Sequence, residues 1–345
     1  MTHRKHWTLV ASIVALAASV LTASPLAAQE TCLGQTPTIV SNDSVINGTA
    51  GDDVILAGDG NNRIDAGGGN DRICSRGGND VILGGDGNDI IRAGGGGDQV
   101  LAGDGDDVVF GGWGADTISG GEGDDQLIGE RNGDTITGGN GNDEIRGNFG
   151  VDSLSGGNGD DFIAGGAGPD ELFGGRGNDT IMGQGLADLI LGGIGDDIIS
   201  GGDGADDIRG GLGNDTILGN GGDDFILGDL GRQFDETNPN VQHEGGNDII
   251  GGGPGNDYVG GEGGSDTLSG NQGLDVVDGF WGNDIIEGNL GDDLLSGGTG
   301  ADTISGLGGN DQCWPELVVI NAGNPSPSNN GDSTSGCERI NQVLN

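Results

Sequence analysis

Residues 84–92 read GGDGNDIIR, and the same nonapeptide, Gly-Gly-x-Gly-x-Asp-x-(apolar)-x, fills most of the chain on either side. Its sixth slot falls on Asp53, Asp71, Asp80, Asp89, Asp98, Asp107, Asp116, Asp125, Asp134, Asp143, Asp152, Asp161, Asp170, Asp179, Asp188, Asp197, Asp206, Asp215 and Asp224, with Asn62 as the single departure. After one loss of phase it resumes at Asp248, Asp257, Asp266, Asp275, Asp284, Asp293, Asp302 and Asp311. The two blocks hold 20 and 8 repeats, and the eighth slot carries 18 Ile, 5 Leu, 4 Val and Cys313. Gly keeps the fourth slot everywhere except at Asn132 and Leu186. One match would mean little, but 28 in register make the array itself the protein.

Gly tolerates positive φ, so the six Gly-rich residues fold back tightly. The last three then form a short strand with only the middle side chain pointing inward. Two nonapeptides close a coil of 18 residues, and stacked coils make two parallel sheets over a thin Ile/Leu/Val seam. The expected fold is therefore all-β, a parallel β-roll or right-handed β-solenoid of about 28 repeats. Asp side chains in each column of turns stand ~4.8 Å apart, the ordinary strand spacing. At an effective dielectric near 20 each adjacent pair repels by roughly 3 kcal/mol. One buried aliphatic per repeat, roughly 1.5–3 kcal/mol, does not overcome both that repulsion and the entropy of ordering nine residues. A counter-cation is required. Carboxylates with turn carbonyls are hard oxygen ligands in irregular geometry, which selects Ca²⁺ over Mg²⁺ or a soft metal.

On these residues the array resembles the hemolysin-type, or repeat-in-toxin, calcium-binding nonapeptide. The resemblance implies a β-roll with Ca²⁺ held between turns by the Asp carboxylates, at positions such as Asp80, Asp89, Asp107, Asp125, Asp143, Asp161 and Asp179. Nothing in the chain resembles the protease, lipase or pore-forming domains of that family's familiar members. Worn repeats, at Ser75-Arg76, at Glu130-Arg131-Asn132 and at Gln184 and Leu186, are expected to bind ions less well.

Composition agrees. The chain has 12 Lys+Arg against 56 Asp+Glu, a net charge of −44, and 82 Gly, a balance that disfavours nucleic acid and anionic membranes as partners. Gly- and Asp-rich acidic chains can also be disordered, but a disordered segment has no reason to keep an aliphatic every ninth residue. Residues 1–28 differ: Arg4 and Lys5, an apolar run over residues 9–21, then Ala23-Ser24-Pro25-Leu26-Ala27-Ala28. That order reads as a secretory signal peptide, too short to span a membrane comfortably, and places the protein outside the cell. Its removal takes the charge to −46 and leaves no Lys and only His243. With no GxSxG either, there is no activated group for catalysis, and an enzyme is not expected.

The chain divides into a signal peptide (1–28), an N-terminal cap (29–47), the roll (48–231), an inserted loop (232–245), the continued roll (246–314) and a C-terminal cap and tail (315–345). The loop carries Arg232, Phe234, Asp235, Pro239 and His243 and reads as tolerated decoration, a partner-binding loop being the other reading. Four Cys in an exported chain suggest two disulfides with three possible connectivities; local Cys32–Cys74 and Cys313–Cys337 bonds would staple the two caps. Beside the calcium-binding scaffold stands a second reading, a surface-recognition or adhesion module for a glycan, ice or a protein. Its carrier would be the outward hydroxyl ladder Thr117/Ser119, Thr135/Thr137, Ser153/Ser155, which is also an ordinary choice for a solvated strand. Outward apolar pairs at Val81/Leu83, Leu189/Leu191 and Phe225/Leu227 could seat a partner.

Overall fold

The computed structural model describes residues 31–229, 245–314, 333–335 and 337–338. The expected signal peptide (1–28), the inserted loop except Gly245, and most of the C-terminal tail lie outside the described residues. Every pairing between strands is parallel, and the strands fall into two 16-stranded sheets. Odd strands in chain order build one sheet and even strands the other, so the chain alternates between sheets and returns after 18 residues. Thr117–Glu122 thus lies between Gln99–Asp104 and Thr135–Asn140, with Ile118 opposite Val100 and Ile136. In the facing sheet, Gln126–Arg131 lies between Val108–Trp113 and Glu144–Phe149. Among the described residues there is no helix, and so none long and apolar enough to cross a membrane.

The eighth-slot residues make one continuous core between the sheets, from Ile46 through Ile55 and Ile136 to Cys313, each at most 4% exposed. Ile46, nine residues before Ile55, belongs to it, and Ile39–Ser41 pairs with Val54–Ala57, so the N-terminal cap adds an irregular first coil. Cys32 and Cys74 are disulfide-bonded, tying that cap to the roll. Closing a loop of 42 residues stabilises by about 4 kcal/mol in the chain-entropy picture. Cys313 is disulfide-bonded as well, and the neighbouring strand places Cys337 opposite Asp311.

Strand length departs from expectation. Most strands run for six residues, as in Thr135–Asn140, rather than three. The glycines of slots one to three have little strand preference of their own, but coils above and below pair with them, Gly139 with Gly121 and with Gly157. Slot four then turns the chain with positive φ. At Gly141 φ is 134°, and a Cβ there would lie 2.0 Å from the carbonyl oxygen of Gly123. Gly141→Val is accordingly expected to cost at least about 2 kcal/mol, read as a lowered denaturant midpoint of the calcium-loaded protein.

The worn repeats keep this turn. Asn132 and Leu186 at slot four, and Glu130 and Gln184 at slot two, all hold positive φ, between 72° and 83°, and Asp134 and Asp188 keep the same contacts as their neighbours. The inserted loop does not break the stack either. Asp215 and Asp248 are joined by a hydrogen bond across it, and Ile217 pairs with Ile250. At its base, Asp229 accepts hydrogen bonds from the N–H groups of Gly246 and Gly263, bridging the turns that follow.

Candidate metal columns

The sixth-slot Asp side chains point inward and form two columns, one along each edge where the chain crosses between sheets. Asp53 is 7% exposed and the others at most 3%. In each column Oδ1 accepts a hydrogen bond of 2.7–3.0 Å from the backbone N–H of the residue one coil earlier. One ladder runs from Asp53 through Asp143 to Asp302, the other from Asn62 through Asp134 to Asp311. The Asp carbonyl is used too: that of Asp116 accepts from the N–H of Thr135 at 2.8 Å.

One atom per residue is left over. Oδ2 of nearly every column Asp is buried with no hydrogen-bond partner. A buried, unpartnered carboxylate oxygen costs several kcal/mol if charged, and here the cost recurs at every turn. Asp80 escapes it, because the Ser75 hydroxyl donates to its Oδ2; that worn repeat fills its own acceptor. The consequence for protonation follows from burial first. Desolvation pushes Asp125 and Asp248 up to about 8, and Asp89, Asp134, Asp161 and Asp197 up to about 7, against partial relief from the ladder N–H. Neighbouring carboxylates one coil away add to the rise.

These residues suit a divalent ion. A Cβ on Gly138 would sit 2.1 Å from Asp143 Oδ2 and 2.7 Å from the Gly156 carbonyl oxygen, so carboxylate and carbonyl oxygens of successive coils converge beside the leading glycine. The same convergence recurs at Gly120, Gly147, Gly174 and Gly192. Among the described residues no group of three His, Cys, Asp or Glu side chains is placed to hold a metal, so an ion here would draw its other ligands from backbone carbonyls and water, which suits a hard cation with a flexible oxygen shell. Ala66, Ala93 and Ala102 carry a buried methyl at the leading position, and the cradle is smaller there.

A fifth-slot ladder was not legible from the nonapeptide. Along the first edge, exposed Asx residues repeat every coil, and each Oδ1 accepts the N–H of the fifth-slot residue in the following coil: Asn70 from Asn88, Asn88 from Asp106, Asp106 from Asp124, Asp124 from Asn142. Along the middle of the second edge the same slot reads Ala115, Gly133, Val151, Pro169, Ala187 and Ala205, none of which has a side-chain acceptor, while toward its ends the ladder returns at Asn61, Asn79, Asp223, Asn256 and Asp292. A nine-residue template merges the two edges; reading at 18 would have separated them. The outward hydroxyls lie as expected on one sheet, Thr117 opposite Thr135 and Thr135 opposite Ser153, and Phe225 stacks on Tyr258 further along it at 5.0 Å.

Fold and columns together define a calcium-binding type of parallel β-solenoid. A family model described as RTX calcium-binding nonapeptide repeat (4 copies) matches residues 41–73, 75–100, 94–127, 119–154, 128–163, 155–190, 182–217, 200–232, 244–259, 260–295 and 287–315. The chain belongs to that family, whose repeats bind calcium. No curated protein matches the chain.

Proposed function

We infer that the protein is a secreted, non-catalytic scaffold that folds by taking up several Ca²⁺ between stacked turns, the ligands being the column Asp residues from Asp53 to Asp311 together with turn carbonyls. The observation that carries this is the file of buried, unpartnered Oδ2 atoms: a cation shared by successive turns converts their repulsion into attraction, and binding free energy becomes folding free energy. The signal peptide, the caps and the inserted loop belong to the same reading. A chain of this charge stays unfolded where Ca²⁺ is scarce, which suits passage through a membrane, and folds where extracellular modules bind at about 10⁻⁴–10⁻³ M. Each new coil templates the next, so the transition is steep. Far-ultraviolet circular dichroism of the mature protein during a calcium titration at pH 7.5 should pass from coil to β in one sharp step; magnesium at equal concentration should not produce it. A β spectrum already complete in excess chelator would refute the reading.

A further inference from the structure

We propose that the residues at slots three and five sort the ion sites into two classes, the first-edge turns from Asp89 to Asp161 filling before the second-edge turns from Asp98 to Asp188. The proposal rests on the calcium reading above and adds what decides affinity within it. Between Asp89 and Asp188 the column Asp residues on the two edges are equivalent: buried, laddered through Oδ1, and with an Oδ2 that has no hydrogen-bond partner. What surrounds them is not.

First-edge turns carry Asp86, Asp104 and Glu122 at slot three, in register on adjacent strands, and Asp106, Asp124 and Asp160 at slot five. That charge lies beside the column, Asp106, Asp124 and Asp160 being the chain neighbours of Asp107, Asp125 and Asp161. Second-edge turns over the same span carry Trp113, Arg131 and Phe149 at slot three, and no carboxylate at slot five. The Arg131 guanidinium lies over the Trp113 ring at 5.0 Å, adding positive charge, with Glu130 beside it in the chain as an acidic neighbour. Affinity for Ca²⁺ rises with ligand-shell charge and with rigidity, and the first edge is ahead in both. Its fifth-slot ladder ties each turn to the next in the folded roll without using an ion. A carboxylate roughly 7 Å from a divalent ion, screened by physiological salt, favours binding by about two- to threefold. The Asp89 and Asp161 turns carry one such carboxylate, the Asp107 and Asp125 turns two and the Asp143 turn none, so at the two-carboxylate turns the separation from the second edge approaches about tenfold.

Calcium uptake by the full mature chain, followed by equilibrium dialysis, should therefore show two steps, up to about tenfold apart. Asp106→Asn/Asp124→Asn/Asp160→Asn keeps every fifth-slot acceptor and removes only charge; it should move the early step toward the late one. The converse Ala115→Asp/Val151→Asp/Ala187→Asp should move the late step earlier. Terbium supplies the place as well as the amount, because luminescence sensitised by Trp113 reports the second edge. The part of the signal lost in Trp113→Phe should appear late in the wild-type titration. A single class of sites unmoved by either triple variant, or Trp113-sensitised luminescence rising first, overturns the sorting and leaves the calcium reading intact. No uptake at all overturns both.

Discussion

In excess chelator the mature protein is expected to hold its β structure near pH 5 and to lose it as the pH is raised to 8. The folded-state pKa values of the column Asp residues are raised, to about 6 for Asp143 and Asp152, about 7 for Asp89 and Asp161 and about 8 for Asp125 and Asp248, from 3.8. The folded chain therefore holds more protons than the unfolded one between these limits. Stability is fully present below about pH 4 and is lost as pH rises through the raised values, at about 1.4 kcal/mol per pH unit for each proton of difference. Many Asp residues titrate in the same window, so the loss is large and cooperative. Protonation removes the buried charge that calcium would otherwise neutralise, and acid should stand in for the ion. Two measurements check this: circular dichroism against pH in chelator, and proton release on calcium addition to weakly buffered protein at pH 6.5. An unfolded chain at pH 5, or calcium-induced folding without proton release, would count against it. At saturating calcium the same rise to pH 8 should leave the spectrum unchanged.

The period and the alternation of Asp with an aliphatic two residues on were enough to place both sheets, the 18-residue coil and the seam. The reason is that Ile136 or Ile145 has only one place to go once glycines close the turn on either side. Four features escaped. Strands extend through glycines because pairing with Gly121 and Gly157 holds Gly139 in line, a neighbour effect that local preference does not contain. The Asp carboxylates proved to have one oxygen committed to a backbone N–H and one left over, a division no spacing predicts. The asymmetry between Asp124 on one edge and Val151 on the other was in the sequence all along, hidden because the template was nine residues long and the coil is 18. Asp229 was overlooked for a related cause: it stands at a glycine slot where the phase breaks, and its role at the base of the loop exists only once Gly246 and Gly263 are brought to it.

The two duties of the column Asp can be separated by substitution, and opposite signs are expected. Asp143 Oδ1 accepts the N–H of Asp125 at 2.9 Å, and Asp161 Oδ1 accepts that of Asp143 at 2.8 Å. Asp143→Ala/Asp161→Ala strands both buried N–H groups, at about 1–3 kcal/mol each, and removes two anionic ligands from adjacent turns. Asp143→Asn/Asp161→Asn keeps the acceptors and removes only the charge. The fold holds an Asn at the top of one column, Asn62, whose backbone N–H donates to Asp80 and whose side-chain amide reaches the Asp43 carbonyl at 2.8 Å, while its Oδ1 has no donor there. In chelator the Asn pair should hold its fold to a higher pH than wild type, having lost two costly buried charges, whereas the Ala pair should lose it at a lower pH. In calcium both should need a higher midpoint concentration, the Ala pair by about tenfold or more, since about 1.4 kcal/mol is a factor of ten. Because each coil touches only its neighbours, damage at these two turns should also divide the roll, with limited proteolysis of the Ala pair at intermediate calcium cutting between residues 125 and 161. Identical behaviour of the two variants would mean that the ladder contributes nothing beyond charge. A wild-type calcium midpoint in both would place the ions somewhere other than the columns.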